Sequence, residues 1–323
     1  MSRSCNRIDA RANGLLRSGT AALALLLLGL GALPARASAA GAECPEPDRD
    51  SAEGAASRVL CLVEHDHALD AIVYGEDAAA RWPGEARLLS ALGRAYDESG
   101  NRDRALAYQE EAHRLAPRDP LISYRLASML ADEVDRLDPV ARGETIPADL
   151  RHCFASAMDS RDARKKMKAL ARRADRLYAW AIEGFSRTRG EDDILTLSAR
   201  MERALLHVTL DGRKAIPELE AVAADYRRIA ETIGDPAMAD MASGVYMNLA
   251  QSYALYGDDA SARKALDEAA ALAATPDQKR LVAASTGVIE DGNAHSPLIA
   301  AMAGSSDCTL TTDRATPGNS GEK

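Results

Sequence analysis

The feature that most constrains this chain is a spacing. Between Ala86 and Asp119 the sequence reads ARLLSALGRAYDESGNRDRALAYQEEAHRLAPRD, with Leu92-Gly93, Tyr96, Gly100, Ala105, Ala112 and Pro117 as its fixed points. The same intervals return in Leu249-Ala250, Tyr253, Gly257, Ala262 and Ala269, with Pro276 two residues late. A weaker copy over 52–85 keeps Ala71, Ala78 and Pro83 where Ala105, Ala112 and Pro117 stand. Self-similarity at a period of about 34 residues means stacked helix pairs, each unable to bury its apolar face alone. The residue types suit that reading. Gly93 and Ala105 are small where two helices cross, and Leu92 and Tyr96 fill the space between them. Gly100 suits the left-handed turn that ends a helix, and Pro117 stops the next one.

This Leu-Gly, Tyr, Gly, Ala, Ala, Pro pattern resembles the tetratricopeptide repeat (TPR) family. Gln109 departs from it, because the family carries an aromatic residue there; Tyr108 is expected to take over that packing. The resemblance implies an all-α fold: a TPR-like α-solenoid of about five helix pairs plus a C-terminal capping helix over 277–290. It further implies a right-handed superhelix whose concave face, lined by the first helix of each pair, binds a peptide or protein segment. The composition agrees, with aromatics at only 4% and Ala, Leu, Arg and Glu abundant, a mix that favours helices over strands.

Leu92 and Leu249 lie 157 residues apart, which is not a whole number of repeats. Something is inserted, and Pro139, Gly143 and Pro147 point to a long loop over 137–160 inside the third pair, between helices at 120–136 and 161–188. A fourth, degenerate pair is expected over 191–210 and 213–233. The domain plan is therefore a signal peptide over 1–39, a helical array over 40–291 and a flexible tail over 292–323.

The signal peptide reading rests on Arg3, Arg7, Arg11 and Arg17, then an uncharged apolar run from Ala21 to Leu33, then Ala35-Arg36-Ala37 and Ala37-Ser38-Ala39 as small-x-small cleavage sites. A run of that length is too short to cross about 30 Å of hydrocarbon, and no other segment is apolar enough, so the cleaved chain is not expected to be a transmembrane protein. Cys44 follows Gly41-Ala42-Glu43, a poor lipobox. The expected location is periplasmic or secreted. Without residues 1–39 the chain has 35 basic and 48 acidic residues, a net charge of −13, which opposes binding to nucleic acid or to an anionic membrane.

Four cysteines then remain, Cys44, Cys61, Cys153 and Cys308, and an even count in an exported chain suggests disulfides. The favoured pairing is Cys44 with Cys61, pinning the N-terminus to the first helix, and Cys153 with Cys308. The alternative leaves one pair reduced and buried. Glu64-His65-Asp66-His67 offers metal ligands but falls at a turn where polar residues belong anyway, so no metal is assigned. His152 beside Cys153 has no oxyanion hole in view. Asp192-Asp193 and Asp258-Asp259 sit at helix starts, where capping explains them. No motif for a catalytic nucleophile, zinc hydrolysis, or phosphate or dinucleotide binding occurs after residue 39. The chain is expected to be no enzyme and to need no cofactor.

One charged segment stands out: 161–176 carries eight basic residues against Asp162 and Asp175. Arg161, Lys165, Lys168, Arg172 and Arg176 recur along one helical stripe, opposite Met167, Leu170, Ala174 and Leu177. It is either a solvated face or a dock for an acidic partner, through Lys165, Lys168 and Arg172. On the first helices of the second and third pairs, the repeat register places Arg87, Ser90, Arg94, Asp97 and Tyr124 as candidate groove residues. The leading expectation is an extracytoplasmic protein-interaction scaffold. The alternatives are an accessory subunit of an envelope assembly, secretion or division complex, and a small-ligand or metal-binding module at His65 and His67.

Overall fold

The computed structural model describes Cys44 and residues 51–146 and 158–290, and these are helical with no strand among them. The expected signal peptide and tail, Cys153, Cys308, His152 and His295 lie outside the described residues. Helices α1 (Ala52–Glu64) and α2 (Ala68–Arg81) form the first pair, α3 (Ala86–Glu98) and α4 (Arg102–Leu115) the second, α5 (Pro120–Arg142) and α6 (Ser160–Arg189) the third. The fourth pair is α7 (Ile194–Asp211) and α8 (Ile216–Ile233), joined by a 3-10 turn, Gly212–Ala215; the fifth is α9 (Pro236–Leu255) and α10 (Asp259–Leu272). The last described helix, α11 (Pro276–Glu290), follows. Among the described residues the fold is all-α and TPR-like, with the five pairs and closing helix that the repeat spacing predicts.

Whereas the sequence reads 40–291 as one array, its contacts gather into two compact units. Among the described residues the first holds Cys44, 51–131 and 172–199, and the second holds 132–146, 158–171 and 200–290. Helices α5, α6 and α7 each contribute to both.

In the first unit, α3 packs on α1, α2 and α4. Val59, Leu62 and Val63 of α1, Ala71 and Ala78 of α2, and Leu88, Ala91 and Ala95 of α3 make one buried cluster with Cys44. The alanines let the helices approach, and the leucines and valines supply the apolar area, each worth about 1.5–3 kcal/mol when fully buried. Gly93 is needed for the same approach: a Cβ there would meet the Ala105 carbonyl oxygen and Gln109 Cγ, both at 3.1 Å. α3 ends as the sequence predicts. Gly100 takes φ 79, its N–H donates to the Asp97 carbonyl, and the Asn101 N–H donates to the Tyr96 carbonyl, both at 2.9 Å, the double-bonded glycine cap.

In the second unit, α9 packs on α8, α10 and α11, with Met247, Ala269, Ala273 and Val282 in a buried cluster. α11 covers this end as a cap should. Its Gln278, 5% exposed, donates to Ser243 Oγ at 3.1 Å, and that hydroxyl donates to the Ala269 carbonyl at 2.7 Å.

The expected loop over 137–160 starts later than predicted, because α5 runs on through Pro139 to Arg142. Pro139 forfeits one hydrogen bond, to the Asp135 carbonyl. Leu137, Val140 and Ala141 are buried on this last stretch, and that burial outweighs the lost bond. The helix stops at Gly143 (φ 77), where the Glu144 N–H donates to the Pro139 carbonyl at 2.9 Å and the Gly143 N–H to the Val140 carbonyl at 3.0 Å.

Candidate functional site

Arg87, Ser90, Arg94 and Asp97 follow one another at three- and four-residue intervals on α3, so they share one side of the helix. Arg87 is exposed. Its Nε donates to Asp119 Oδ2 at 3.1 Å and its Nη1 lies 3.6 Å from Glu53 Oε1. Asp119 in turn caps α5, its Oδ1 accepting from the Leu121 and Ile122 N–H groups. Ser90 is buried and donates to Gln109 Oε1 at 3.1 Å, while Gln109 Nε2 donates back to the Ser90 carbonyl at 2.9 Å. From α5, Arg125 Nη1 donates to Ser90 Oγ at 3.2 Å. Arg94 is also buried, with Glu98 Oε1 3.6 Å from its Nη2; Asp97 is half-buried.

Tyr124, the remaining candidate on α5, packs inward. Its ring lies 6.1 Å from Phe185, edge to face, and 6.3 Å from Tyr178, tilted. Arg125, one residue on, meets the α3 stripe instead. Sequence reasoning missed Arg125, although it stands 35 residues after Ser90, close to one repeat. Gln109 is the other surprise. It fills the aromatic position itself, 1% exposed, while Tyr108 goes elsewhere and stacks on Tyr96 at 5.4 Å. Tyr96 in turn donates from its hydroxyl to Glu76 and accepts from Arg104, which ties the first pair to the second.

The basic helix divides as predicted: Arg161, Lys165, Lys168, Arg172 and Arg176 are exposed, and Met167, Ala174 and Leu177 are buried. Some of its cations are spent on neighbouring helices. Lys166 pairs with Glu133 at 2.8 Å, Arg164 donates to the Ala141 carbonyl at 2.7 Å, and Arg173 pairs with Glu110.

The Cys44–Cys61 disulfide is closed, with its Cα atoms 5.8 Å apart. His65, one turn beyond Cys61, places Nδ1 2.8 Å from the Cys61 carbonyl and 3.7 Å from each sulfur. His67 turns away to Asp70, 3.6 Å from Nδ1 to Oδ2. The two histidines paired in the sequence therefore do not form one site. Asp193 and Asp258 cap their helices, accepting from the Leu195 and Ser261 N–H groups at 3.0 and 3.2 Å.

On α5, Asp135 is half-buried, and burial followed by repulsion from Asp132 and Asp138 pushes its carboxyl up to about 8. Thr209 Oγ1 donates to it at 3.4 Å. Asp138 is raised too, by burial against the opposing pull of Arg142.

Among the described residues no helix is long and apolar enough to cross a membrane. Neither a protein-family model nor a curated protein matches the sequence. Solved structures do. BtubC from P. vanneervenii is 19% identical, with a TM-score of 0.45 over 68% of this chain and 78% of its own. YrrB, a TPR protein with an unusual peptide-binding site, is 16% identical, with a TM-score of 0.40 over 74% and 94%. Human IFIT1, a dimer with m7Gppp-AAAA, is 13% identical, with a TM-score of 0.41 over 70% of this chain. The chain spans 55% of the IFIT1 length.

Proposed function

We propose that the chain is an extracytoplasmic interaction scaffold that holds a polar peptide or protein segment along the first helices of its second and third pairs. The observation that carries this reading is the continuity of the polar stripe. Arg87, Ser90, Arg94 and Asp97 on α3 meet Arg125 of α5 through the Ser90 hydroxyl, so charge of both signs runs from one first helix to the next. Arg87, the exposed guanidinium of the stripe, suits a carboxylate, which it can bind with two parallel hydrogen bonds, and Asp97 suits a backbone N–H or a basic side chain. Export, the other half of the proposal, rests on the Arg-rich start, the apolar run and the small-x-small sites of residues 1–39.

A photo-activated cross-linker placed at position 87 or 97 in cells tests the binding face, with position 103 on α4 as the outward control. The same captured species at 87 and 97, absent at 103, is the expected result, and Arg87→Glu should cut the yield at 97 by about tenfold or more. Equal capture at 103, or a yield at 97 indifferent to Arg87→Glu, overturns the groove. Fractionation with N-terminal sequencing tests export separately: a product beginning near Ala40 outside the cytoplasm is expected, and a full-length cytoplasmic chain refutes it.

A further inference from the structure

The Cys44–Cys61 bridge has a neighbour that a staple does not need. His65 lies four residues after Cys61 on the same helical face, and its Nδ1 is 3.7 Å from both sulfurs. Among the described residues this is the group of cysteine, histidine and carboxylate side chains whose ligand atoms converge, all within 4.8 Å of one another. Cys44 is buried, and Cys61 and His65 are half-buried, so the cluster has one sheltered side and one open to an incoming ion.

Ligand spacing can be compared with these distances. A tetrahedral zinc ion with Zn–S of about 2.3 Å and Zn–N of about 2.0 Å has N···S edges of about 3.5 Å and S···S edges of about 3.8 Å. The two N···S distances are already near that value while the bridge is closed. Only the sulfur–sulfur separation must grow, and breaking the bond allows it. No carboxylate belongs to the cluster, so the donor set of two thiolates and one imidazole favours a soft or borderline ion over calcium or magnesium.

We infer that reduction of the Cys44–Cys61 disulfide converts this staple into a three-ligand zinc site, formed by the Cys44 and Cys61 thiolates and His65 Nδ1, with the fourth position open to water. The reductant is a dithiol: it gives two electrons and two protons to the bridge, leaves two thiols, and itself closes to a disulfide. Zinc then displaces the two thiol protons to solvent. The Nδ1 proton of His65 moves to Nε2 by way of water, and the bond to the Cys61 carbonyl is given up. Two protons leave per ion bound. Bridge and metal use the same sulfurs and exclude each other, so either state anchors the segment at Cys44 to α1.

The test uses the full chain with Cys5, Cys153 and Cys308 replaced by serine, so that the only thiols are the two in question. Reduced with a phosphine and titrated with Zn2+ against a chromophoric indicator, it should bind one ion and release two protons, and the oxidised chain should bind none. Cobalt in place of zinc should show thiolate-to-metal charge-transfer absorption. His65→Gln should weaken binding by at least about tenfold, since even outer-shell partners of a metal ligand are worth that much, and Cys44→Ser should abolish the charge-transfer bands expected for two thiolates. Equal zinc uptake by reduced and oxidised chains overturns the site, as does an unchanged affinity in His65→Gln. Circular dichroism covers the case in which reduction loosens α1: helix recovered on adding zinc supports the site, and helix not recovered refutes it.

Discussion

The second and fifth helix pairs are built to one plan and filled differently at three equivalent positions. In each, the first helix ends at a glycine of positive φ, Gly100 at 79 and Gly257 at 72, and Asn101 or Asp258 then caps the second helix. Yet Ser90, Gln109 and Arg125 stand where Met247, Leu266 and Val282 stand 157 residues later, and all six are buried. The difference separates two jobs. Small residues, turns and caps set the helix geometry, and the interior positions can then be polar or apolar where partners answer most of the polar atoms.

The sharpest way to break this comparison is to plant half of one chemistry inside the other. Leu266→Gln should cost about 4 kcal/mol, combining about 1.5–3 kcal/mol of lost apolar burial with about 1–3 kcal/mol for an unanswered amide. Urea unfolding measures it. A cost under about 1 kcal/mol would mean that the fifth pair already offers partners, and the contrast would fail.

A half-buried polar group can also have the wrong neighbours, and Asp135 on α5 shows that case. Its carboxyl is pushed up to about 8 by burial and by two other aspartates, so between the ordinary 3.8 and about 8 the folded chain holds a proton that the unfolded chain has lost. Folding is then favoured by Asp135 at low pH, and that stability drains away as pH rises toward 8. The urea midpoint of the native chain should fall across this range, and Asp135→Asn should remove the fall. An identical pH profile in the variant would show that Asp135 is not the group responsible.

Much of this contrast was legible in the sequence, and the limits of legibility have a physical cause. The repeat spacing, the glycine turns, the capping aspartates and the split between Lys165, Lys168 and Arg172 and the buried face of α6 are local properties, and local pattern carries them. An even cysteine count points to disulfides, and Cys44–Cys61, the favoured of the possible pairings, is closed. What resisted reading were choices made by tertiary neighbours. Pro139 signals a break, and only the burial of Leu137, Val140 and Ala141 reveals why α5 continues. His65 and His67 are close in sequence, but a turn with Asp66 at φ 63 sends them to different partners. Tyr124 and Arg125 differ by about 100° around the helix axis, so a register error of one residue exchanged a core ring for a stripe cation.

Removing one member of the polar set should hurt more than removing all of it. Gln109→Leu restores an apolar residue but leaves the buried Ser90 hydroxyl without its acceptor, at a cost of about 2 kcal/mol.

The smallest expected effect is the most discriminating. The combined variant Ser90→Ala, Gln109→Leu, Arg125→Met removes donors and acceptors together, so its stability should stay within about 1 kcal/mol of the native chain, as expected when a buried polar set gives way to apolar residues of similar volume. If the set serves only to hold α3, α4 and α5 together, cross-linking from position 87 should survive the exchange as well. If the stripe recognises a partner, stability and capture should part company, with a folded, stable chain that no longer yields the species captured at 87 and 97. A triple variant that unfolds as easily as Gln109→Leu would instead mean that the polar set shapes the backbone, and the second and fifth pairs would then differ in geometry as well as in filling.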